Sequence, residues 1–190
     1  MTVGIGLMGM GEDRRPGGFP LTSLGSLTTS TASAAIVELA NPVDRGRWQT
    51  IVLHDLGAPA GSPESMHRWD RSRGLDGLGY HFVIGNGNGF GDGQVHVGYR
   101  WDQQLTGAHL SPGATVDPGG AIGICLIGNG TQSPFTIQQM RAVIRLVRSL
   151  QQELGISRTN VVLDSQIDAS SSSPGRFFSR GQLEQQLLDS

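Results

Sequence analysis

The chain has 190 residues, a net charge of −2 and a single cysteine, and all fourteen of its basic residues are arginine. This length predicts one domain with some additional chain, and the small net charge argues against nucleic acid or an anionic membrane surface as the main partner, since both need a basic footprint. No stretch reaches the roughly 18 apolar residues of a membrane span. The single cysteine, Cys125, has no partner for an intramolecular disulfide. Because the chain contains no lysine, any mechanism that needs a lysine is excluded.

The first 33 residues are rich in glycine, proline, serine and threonine, as in GEDRRPGGFP and SLTTSTAS. This composition predicts a flexible N-terminal tail or linker at 1–33, followed by one domain at 34–190. The opening MTVGIGLMGM has no basic residues before its apolar ones, so it is no clear signal peptide. Residues 34–43 fit a strand or a helix, because their periodicity does not decide between them.

A buried strand is predicted at residues 48–57, with the sequence WQTIVLHDLG. Its apolar and β-branched residues run into His54, and the run then breaks at Asp-Leu-Gly. Such a strand would bring His54 to the carboxyl end of a sheet, where ligands and catalytic groups gather in open α/β folds.

A helix and a hairpin are predicted next. Residues 62–73 begin with serine and proline, which are typical of a helix start, and Met66 and Trp69 would both face the sheet. Residues 79–84 predict a strand, the NGNGFGDG segment predicts a turn, and the alternating residues 94–101 predict the partner strand.

The second half of the chain predicts a central strand and a long helix. The continuous apolar run AIGICLI at 121–127 is typical of a strand buried on both faces. The helix begins with a capping box at Thr136 and ends at Gly155. A short strand at 161–163 and a closing helix at 179–188 complete the order. The expected fold class is therefore α/β, with a single mixed β-sheet flanked by helices.

Six stretches of the chain together carry a family resemblance: IVLHDLG, GLGYHFVIGNGNG, TGAHL, AIGICLIGNG, FTIQQMRAVIRLVRSLQQELGI and SPGRFF. With these motifs the chain resembles the zinc-dependent N-acetylmuramoyl-L-alanine amidases and the peptidoglycan recognition proteins that share their fold, and in particular the bacteriophage amidase-type lysozymes. The resemblance covers roughly residues 48–188. Any one of these motifs alone is weak evidence for the family, whereas six motifs in the family's order are specific evidence for it.

The resemblance implies a peptidoglycan-directed site. Such amidases hydrolyse the amide between the lactyl group of N-acetylmuramic acid and the L-alanine of the stem peptide, with a zinc ion held by three protein ligands. Carried over residue by residue, it implies that His54 is the first metal ligand and that Tyr80 assists catalysis. It also implies substrate-binding roles for His109, Asp55 and Ser173.

The other two metal ligands depart from the family pattern. The second histidine falls on Asp164 when the alignment is anchored on the strand and on Ser165 when it is anchored on Ser-Pro-Gly, and no histidine follows His109. The third ligand, a cysteine or aspartate in the family, falls on Ser173. A serine hydroxyl is a poor zinc ligand. Zinc is therefore expected to be absent or weakly bound, with His54 and Asp164 as the candidate metal ligands.

The expected function is recognition of the muramyl-peptide junction, with zinc-dependent hydrolysis weakened or lost. One alternative is an active zinc amidase with a rearranged ligand set, in which Asp164 binds through oxygen and His109 joins His54. Another is a cleft repurposed for a different ligand or a protein partner. The expected partner is peptidoglycan or a muramyl peptide, and the chain is expected to be a monomer. The resemblance also implies an extracytoplasmic or cell-envelope location.

Overall fold

The described part of the chain is organised around one mixed sheet of five strands: β1 Thr50–Asp55, β2 Phe82–Ile84, β3 Val95–Val97, β4 Ala121–Leu126 and β5 Val161–Leu163. A computed structural model of the chain describes residues 43–189, so the predicted tail at 1–33 and residues 34–42 of the next segment lie outside the described part. β1 pairs in parallel with β4 and β5, whereas β2 pairs in parallel with β4 and antiparallel with β3. The order of the strands across the sheet is therefore β3-β2-β4-β1-β5.

Within residues 43–189, five α-helical segments accompany the sheet: α1 Pro63–Ser72, α2 Tyr99–Asp102, α3 Ile137–Leu154, α4 Asp164–Ile167 and α5 Arg180–Glu184. The longest, α3, is N-capped by Thr136, whose side chain and that of Gln139 form a capping box, and it ends at Gly155 with φ of 69°. In the part of the chain that the structure describes, no helix has the length and apolar character to cross a membrane.

The two faces of the sheet are covered differently. One face packs on α3 and α5 in the main hydrophobic core, to which β1 contributes Ile51 and Leu53. Because side chains alternate along a strand, the intervening residue Val52 and then His54 point to the opposite face. That face is covered by α1 through Met66, by α4 through Ile167 and by loops. The predicted fold class, a single mixed β-sheet flanked by helices, is confirmed.

Two local predictions were wrong. Residues 94–101 do not form one strand, because β3 ends at Val97 and the chain then turns into the short α2. The Trp101 side chain, fully buried, belongs to that helix and not to the strand alternation. Trp69 does not face the sheet: its side chain is 63% exposed, while Met66 three residues earlier is buried.

Candidate active site

His54 is a buried polar residue at the carboxyl end of β1. Its side chain is only 3% exposed, and its backbone pairs with Cys125 on the central strand β4. The strand places the imidazole on the sheet face opposite α3, as the alternation of β1 requires. The predicted delivery of His54 to the sheet edge is confirmed by this geometry.

Asp164 contacts His54 from the neighbouring strand. It follows directly after β5, which lies parallel to β1, so the carboxyl ends of the two strands are adjacent. His54 Nδ1 and Asp164 Oδ2 are 3.5 Å apart, and the Ser171 hydroxyl donates to the same carboxylate oxygen at 2.5 Å. The two alignments put the family's second metal ligand at Asp164 or at Ser165. The Asp164 side chain contacts His54, whereas Ser165 is exposed.

The carboxyl group of Asp164 is held in its ionised form. Burial raises the pKa of Asp164, but the neighbouring His54 and the Ser171 hydroxyl lower it by more, so that the net shift of this pKa is downward. The side chain is 14% exposed. A negative charge therefore lies beside the imidazole of His54 at neutral pH.

His109 contacts the other edge of the His54 ring. Its Nδ1 lies 3.0 Å from His54 Nε2, and its Nε2 lies 3.4 Å from the backbone oxygen of Ala121. A Cβ added to either Gly107 or Gly123 would overlap the His109 ring, so these glycines form the slot that holds it. Burial, followed by the charges of His54 and His81, lowers the pKa of His109 well below its usual value.

Tyr80 completes an aromatic cluster around His54. Its ring meets the His54 ring edge-on with centroids 5.3 Å apart and is stacked on His109 with centroids 6.0 Å apart. Burial, then the neighbouring Cys125, Asp70 and Asp164, raises the pKa of Tyr80 well above its usual value. The phenol therefore keeps its proton at neutral pH, and a protonated phenol can donate a hydrogen bond.

Cys125 lies beneath this cluster and is no nucleophile. Its side chain is fully buried on β4. Burial is the main cause that raises the pKa of the Cys125 thiol far above its ordinary value. The reactive thiolate is therefore not formed at neutral pH, and the residue serves as a small core side chain, as predicted.

Asp55 and Ser173 are joined by a backbone hydrogen bond at the edge of the site. The Asp55 N–H donates to Ser173 Oγ at 2.8 Å, and the Asp55 carboxylate accepts from the Gly130 N–H at 2.8 Å. Both side chains thus form hydrogen bonds that join the end of β1, next to His54, to the flanking loops. Their predicted contact with substrate stays a prediction.

The donor set fits two corners of a zinc site. With zinc–ligand distances of about 2.0–2.1 Å, two ligands of a tetrahedral ion lie roughly 3.4 Å apart, close to the 3.5 Å between His54 Nδ1 and Asp164 Oδ2. His109 lies on the opposite edge of the His54 ring and does not join this pair. Among residues 43–189, no three His, Cys, Asp or Glu side chains are placed to hold a metal together. The residues present therefore do not fit the three-ligand set of a catalytic zinc ion.

A groove of about 470 Å³ extends from Tyr80 along α1. The exposed Trp69 lies on its rim, and the Arg73 guanidinium lies 5.6 Å from the centroid of the Trp69 ring. Arg73 pairs with the buried Asp70 at 2.6 Å, and Asp70 also accepts from the Gly79 N–H. Sequence reasoning missed these groove residues, because the helical spacing of Trp69 indicated a buried position. The groove is lined by Leu56, Ala58, Ser65, Met66, Trp69, Asp70, Arg73 and Tyr80.

Comparisons with known proteins agree with this geometry. The sequence of residues 44–176 matches a family described as N-acetylmuramoyl-L-alanine amidase. A search of curated proteins found no match.

Solved structures share the fold. An endolysin N-acetylmuramoyl-L-alanine amidase from Clostridium intestinale is 25% identical, with a TM-score of 0.63 over 73% of this chain and 82% of its own. Bumblebee PGRP-SA is 21% identical, with a TM-score of 0.56 over 71% of this chain and 80% of its own. Drosophila PGRP-LB, solved as a variant in complex with tracheal cytotoxin, is 22% identical, with a TM-score of 0.54 over 70% and 80%.

Proposed function

Since the chain belongs to the N-acetylmuramoyl-L-alanine amidase family, we propose that its cleft recognises the muramyl-peptide junction of peptidoglycan and that zinc-dependent hydrolysis of the amide is weakened or lost. The family supports the first part, because it makes this a peptidoglycan-directed, amidase-like domain. The second part depends on this chain's own residues around His54.

The groove beside Tyr80 supports recognition. The Tyr80 hydroxyl keeps its proton and can donate a hydrogen bond to a carbonyl oxygen of the ligand. Arg73 uses one nitrogen on Asp70, so its remaining N–H groups can bind a carboxylate of the stem peptide. Trp69 presents a large exposed aromatic surface at the rim, and aromatic residues of this kind commonly anchor ligands.

The observation that carries the proposed loss of hydrolysis is the environment of Ser173. At the position where the family has an acidic or thiol ligand, this side chain is a neutral hydroxyl whose oxygen accepts the Asp55 N–H. His54 and Asp164 are then the two strong donors that face each other. Catalytic zinc normally takes three protein ligands and keeps a fourth position for water. Two strong donors would hold the ion far more weakly.

An active zinc amidase with a rearranged ligand set is the second candidate. The 3.5 Å separation of His54 Nδ1 and Asp164 Oδ2 favours it, because this distance matches the edge of a tetrahedral site. A carboxylate oxygen is also an accepted zinc ligand. The two candidate functions differ in zinc affinity and in the rate of amide hydrolysis. Both bind peptidoglycan.

Metal content and peptidoglycan binding of the purified chain separate these functions. The chain is analysed for bound zinc, then tested for clearing of a peptidoglycan suspension with added zinc or with a chelator, and for pull-down on insoluble peptidoglycan. His54→Ala tests the cleft, and His96→Gln is a matched control because His96 lies on β3, outside the groove beside Tyr80.

We expect retained pull-down, little bound zinc and little clearing, with pull-down reduced in His54→Ala and unchanged in His96→Gln. Stoichiometric zinc with chelator-sensitive clearing would overturn the proposed loss of hydrolysis and establish the second candidate. Absence of pull-down together with absence of clearing would overturn both and leave a cleft used for another ligand.

A further inference from the structure

We infer that the solvent-facing side of α3 binds a linear polyanion, a chain of phosphodiester groups that carries no bases, through Arg141, Arg145 and Arg148. These three residues form an arginine stripe. The inference goes beyond the proposed function, because α3 packs on the face of the sheet opposite His54. A peptidoglycan ligand and the polymer would therefore contact different sides of the domain.

The three arginines lie on one side of the helix. An α-helix turns by about 100° and rises by about 1.5 Å per residue. The positions of Arg141, Arg145 and Arg148 therefore fall within about 60° of the helix circumference and span roughly 10 Å along its axis. All three residues are exposed, whereas the opposite side of α3 is buried in the main core. The result is a line of positive charge on the surface of the domain.

The arginine stripe has no carboxylate beside it. Among residues 43–189, no Asp or Glu side chain lies within ion-pair distance of the stripe, and the one acidic residue of α3, Glu153, pairs with Arg45. Arg148 donates a single hydrogen bond, to the Gln186 carbonyl oxygen. Like charges three or four residues apart on a helix repel each other and destabilise it. An anion that contacts all three arginines would remove this repulsion.

The arginines of α1 are arranged differently. Arg68, Arg71 and Arg73 alternate with acidic residues of the same helix, and Arg73 pairs with Asp70. The net charge of −2 is a sum over the whole chain, so it does not reveal an excess of positive charge that is confined to one side of one helix. The arginine stripe is such a local excess.

Guanidinium groups in a row suit a chain of phosphates. Arginine keeps its charge throughout the physiological pH range, and its fork of N–H groups matches two oxygens of one phosphate group. Successive arginines of the stripe lie about 4.5–6 Å apart along the helix axis. A polymer can place one anionic group on each of them, whereas a small single anion contacts only part of the stripe.

The composition of α3 favours this polymer over a lipid surface and over nucleic acid. Among the exposed residues of α3, Ile137 is the one apolar side chain, and it is 70% exposed. A helix that lies in a membrane interface presents several large apolar residues to the lipid. α3 contains no Phe, Trp or Tyr, so nucleic acid bases would have no aromatic ring of this helix to stack on. A phosphodiester chain without bases needs neither feature.

The test is binding of a fluorescently labelled poly(glycerol phosphate) to the full chain, measured by fluorescence anisotropy over a series of salt concentrations. Arg141→Gln/Arg145→Gln removes two charges from the stripe. Arg68→Gln/Arg71→Gln removes two charges from α1 and is the matched control. All four positions are exposed, and glutamine is nearly as good a helix former as arginine, so both double variants are expected to fold.

We expect the affinity for the polymer to fall about tenfold or more in Arg141→Gln/Arg145→Gln and to stay within about twofold of wild type in the control. For a single-stranded polyanion, the slope of log K against log salt concentration is about −0.7 for each phosphate that is neutralised. Three arginines therefore predict a slope of about −2 for wild type, and the one that remains predicts about −0.7 for Arg141→Gln/Arg145→Gln.

Equal loss of affinity in the two double variants would overturn the inference, because binding would then follow net charge and not the arginine stripe. Tighter binding of an oligothymidylate of equal charge would overturn the assignment to a polymer without bases. Binding to phosphatidylglycerol vesicles without binding to poly(glycerol phosphate) would overturn it as well.

Pull-down on peptidoglycan that has been freed of phosphate polymers separates this inference from the proposed function. We expect Arg141→Gln/Arg145→Gln to be pulled down as wild type is, since the stripe lies on the other side of the sheet from His54. Reduced pull-down of this variant would overturn the separation of the two surfaces. Loss of wild-type pull-down would contradict the proposed function, whereas the polymer titration decides the role of the arginine stripe.

Discussion

His54 Nδ1 and Asp164 Oδ2 lie 3.5 Å apart at the carboxyl ends of the adjacent parallel strands β1 and β5. The distance is too long for a strong hydrogen bond and close to the spacing of two ligands on a tetrahedral zinc ion, roughly 3.4 Å. The proposed loss of zinc places the third corner of the site at Ser173, where the family resemblance puts an acidic or thiol ligand.

Ser173→Asp is expected to raise zinc affinity by about tenfold or more, since a carboxylate replaces a neutral hydroxyl and the binding free energy of a zinc site is shared among its ligands. The new carboxylate can still accept the Asp55 N–H, as the hydroxyl does now. Competition with a zinc-binding dye measures the affinity. Ser172→Asp is the matched control, because it adds the same charge one residue away at an exposed position. Equal zinc affinity in the two variants would show that position 173 is no metal corner.

Trp69→Ala is expected to weaken peptidoglycan pull-down several-fold while leaving the free energy of unfolding within about 0.5 kcal/mol of wild type, since substitutions at exposed positions rarely change stability. The side chain is 63% exposed at the rim of the groove. Arg71→Ala on the same helix is the control, because Arg71 is exposed and does not line that groove. A Trp69→Ala variant that binds as well as Arg71→Ala would place the ligand elsewhere.

The strand that carries His54 and the caps of α3 could be predicted because their signals are local. An apolar run that ends at His54 and breaks at Asp-Leu-Gly predicts β1, and Thr136 with Gln139 predicts the start of α3. The contact between His54 and Asp164 is not local. It depends on β5 pairing beside β1 in parallel, which no pattern within either strand specifies.

Helical spacing likewise shows which residues share a face of a helix. It does not show which of them the neighbouring part of the protein covers. Met66 and Trp69 share a face of α1, yet Met66 is buried and Trp69 is exposed at the groove. The contact between His109 and His54 was missed for the same reason. This contact depends on a slot formed by Gly107 and Gly123, and two glycines in a sequence do not reveal what packs against them.

Gly123→Ala is expected to lower the free energy of unfolding by about 1–3 kcal/mol, because the new Cβ overlaps the His109 ring in a packed site. Gly181→Ala is the control: an added Cβ there meets no atom, and Gly181 lies within α5, so alanine should stabilise the fold by about 0.5–1 kcal/mol. Urea unfolding measures both. If Gly123→Ala were as stable as wild type, the His109 ring would not be tightly held.

The stability of the fold is expected to depend on pH through the buried His81. Burial is the main cause that lowers the pKa of His81 from 6.5 to about 4. Its hydrogen bonds suit the neutral ring, since Nδ1 accepts the Gly123 N–H and Nε2 donates to the Leu105 carbonyl oxygen, each at 3.0 Å. A proton added to Nδ1 would point at the Gly123 N–H. Folding therefore favours the uncharged form.

Because the unfolded chain takes up this proton at a higher pH than the folded one, the free energy of unfolding falls as pH drops below about 6.5 and levels off below about 4, by on the order of 3 kcal/mol for this residue. His81→Asn keeps an acceptor for the Gly123 N–H and carries no titrating group, so its stability should depend less on pH across this window. The slope is reduced and not abolished, because the pKa of His109 is also lowered. Urea unfolding of both proteins between about pH 4 and pH 8 measures the difference, and parallel curves for wild type and His81→Asn would contradict the assignment to His81.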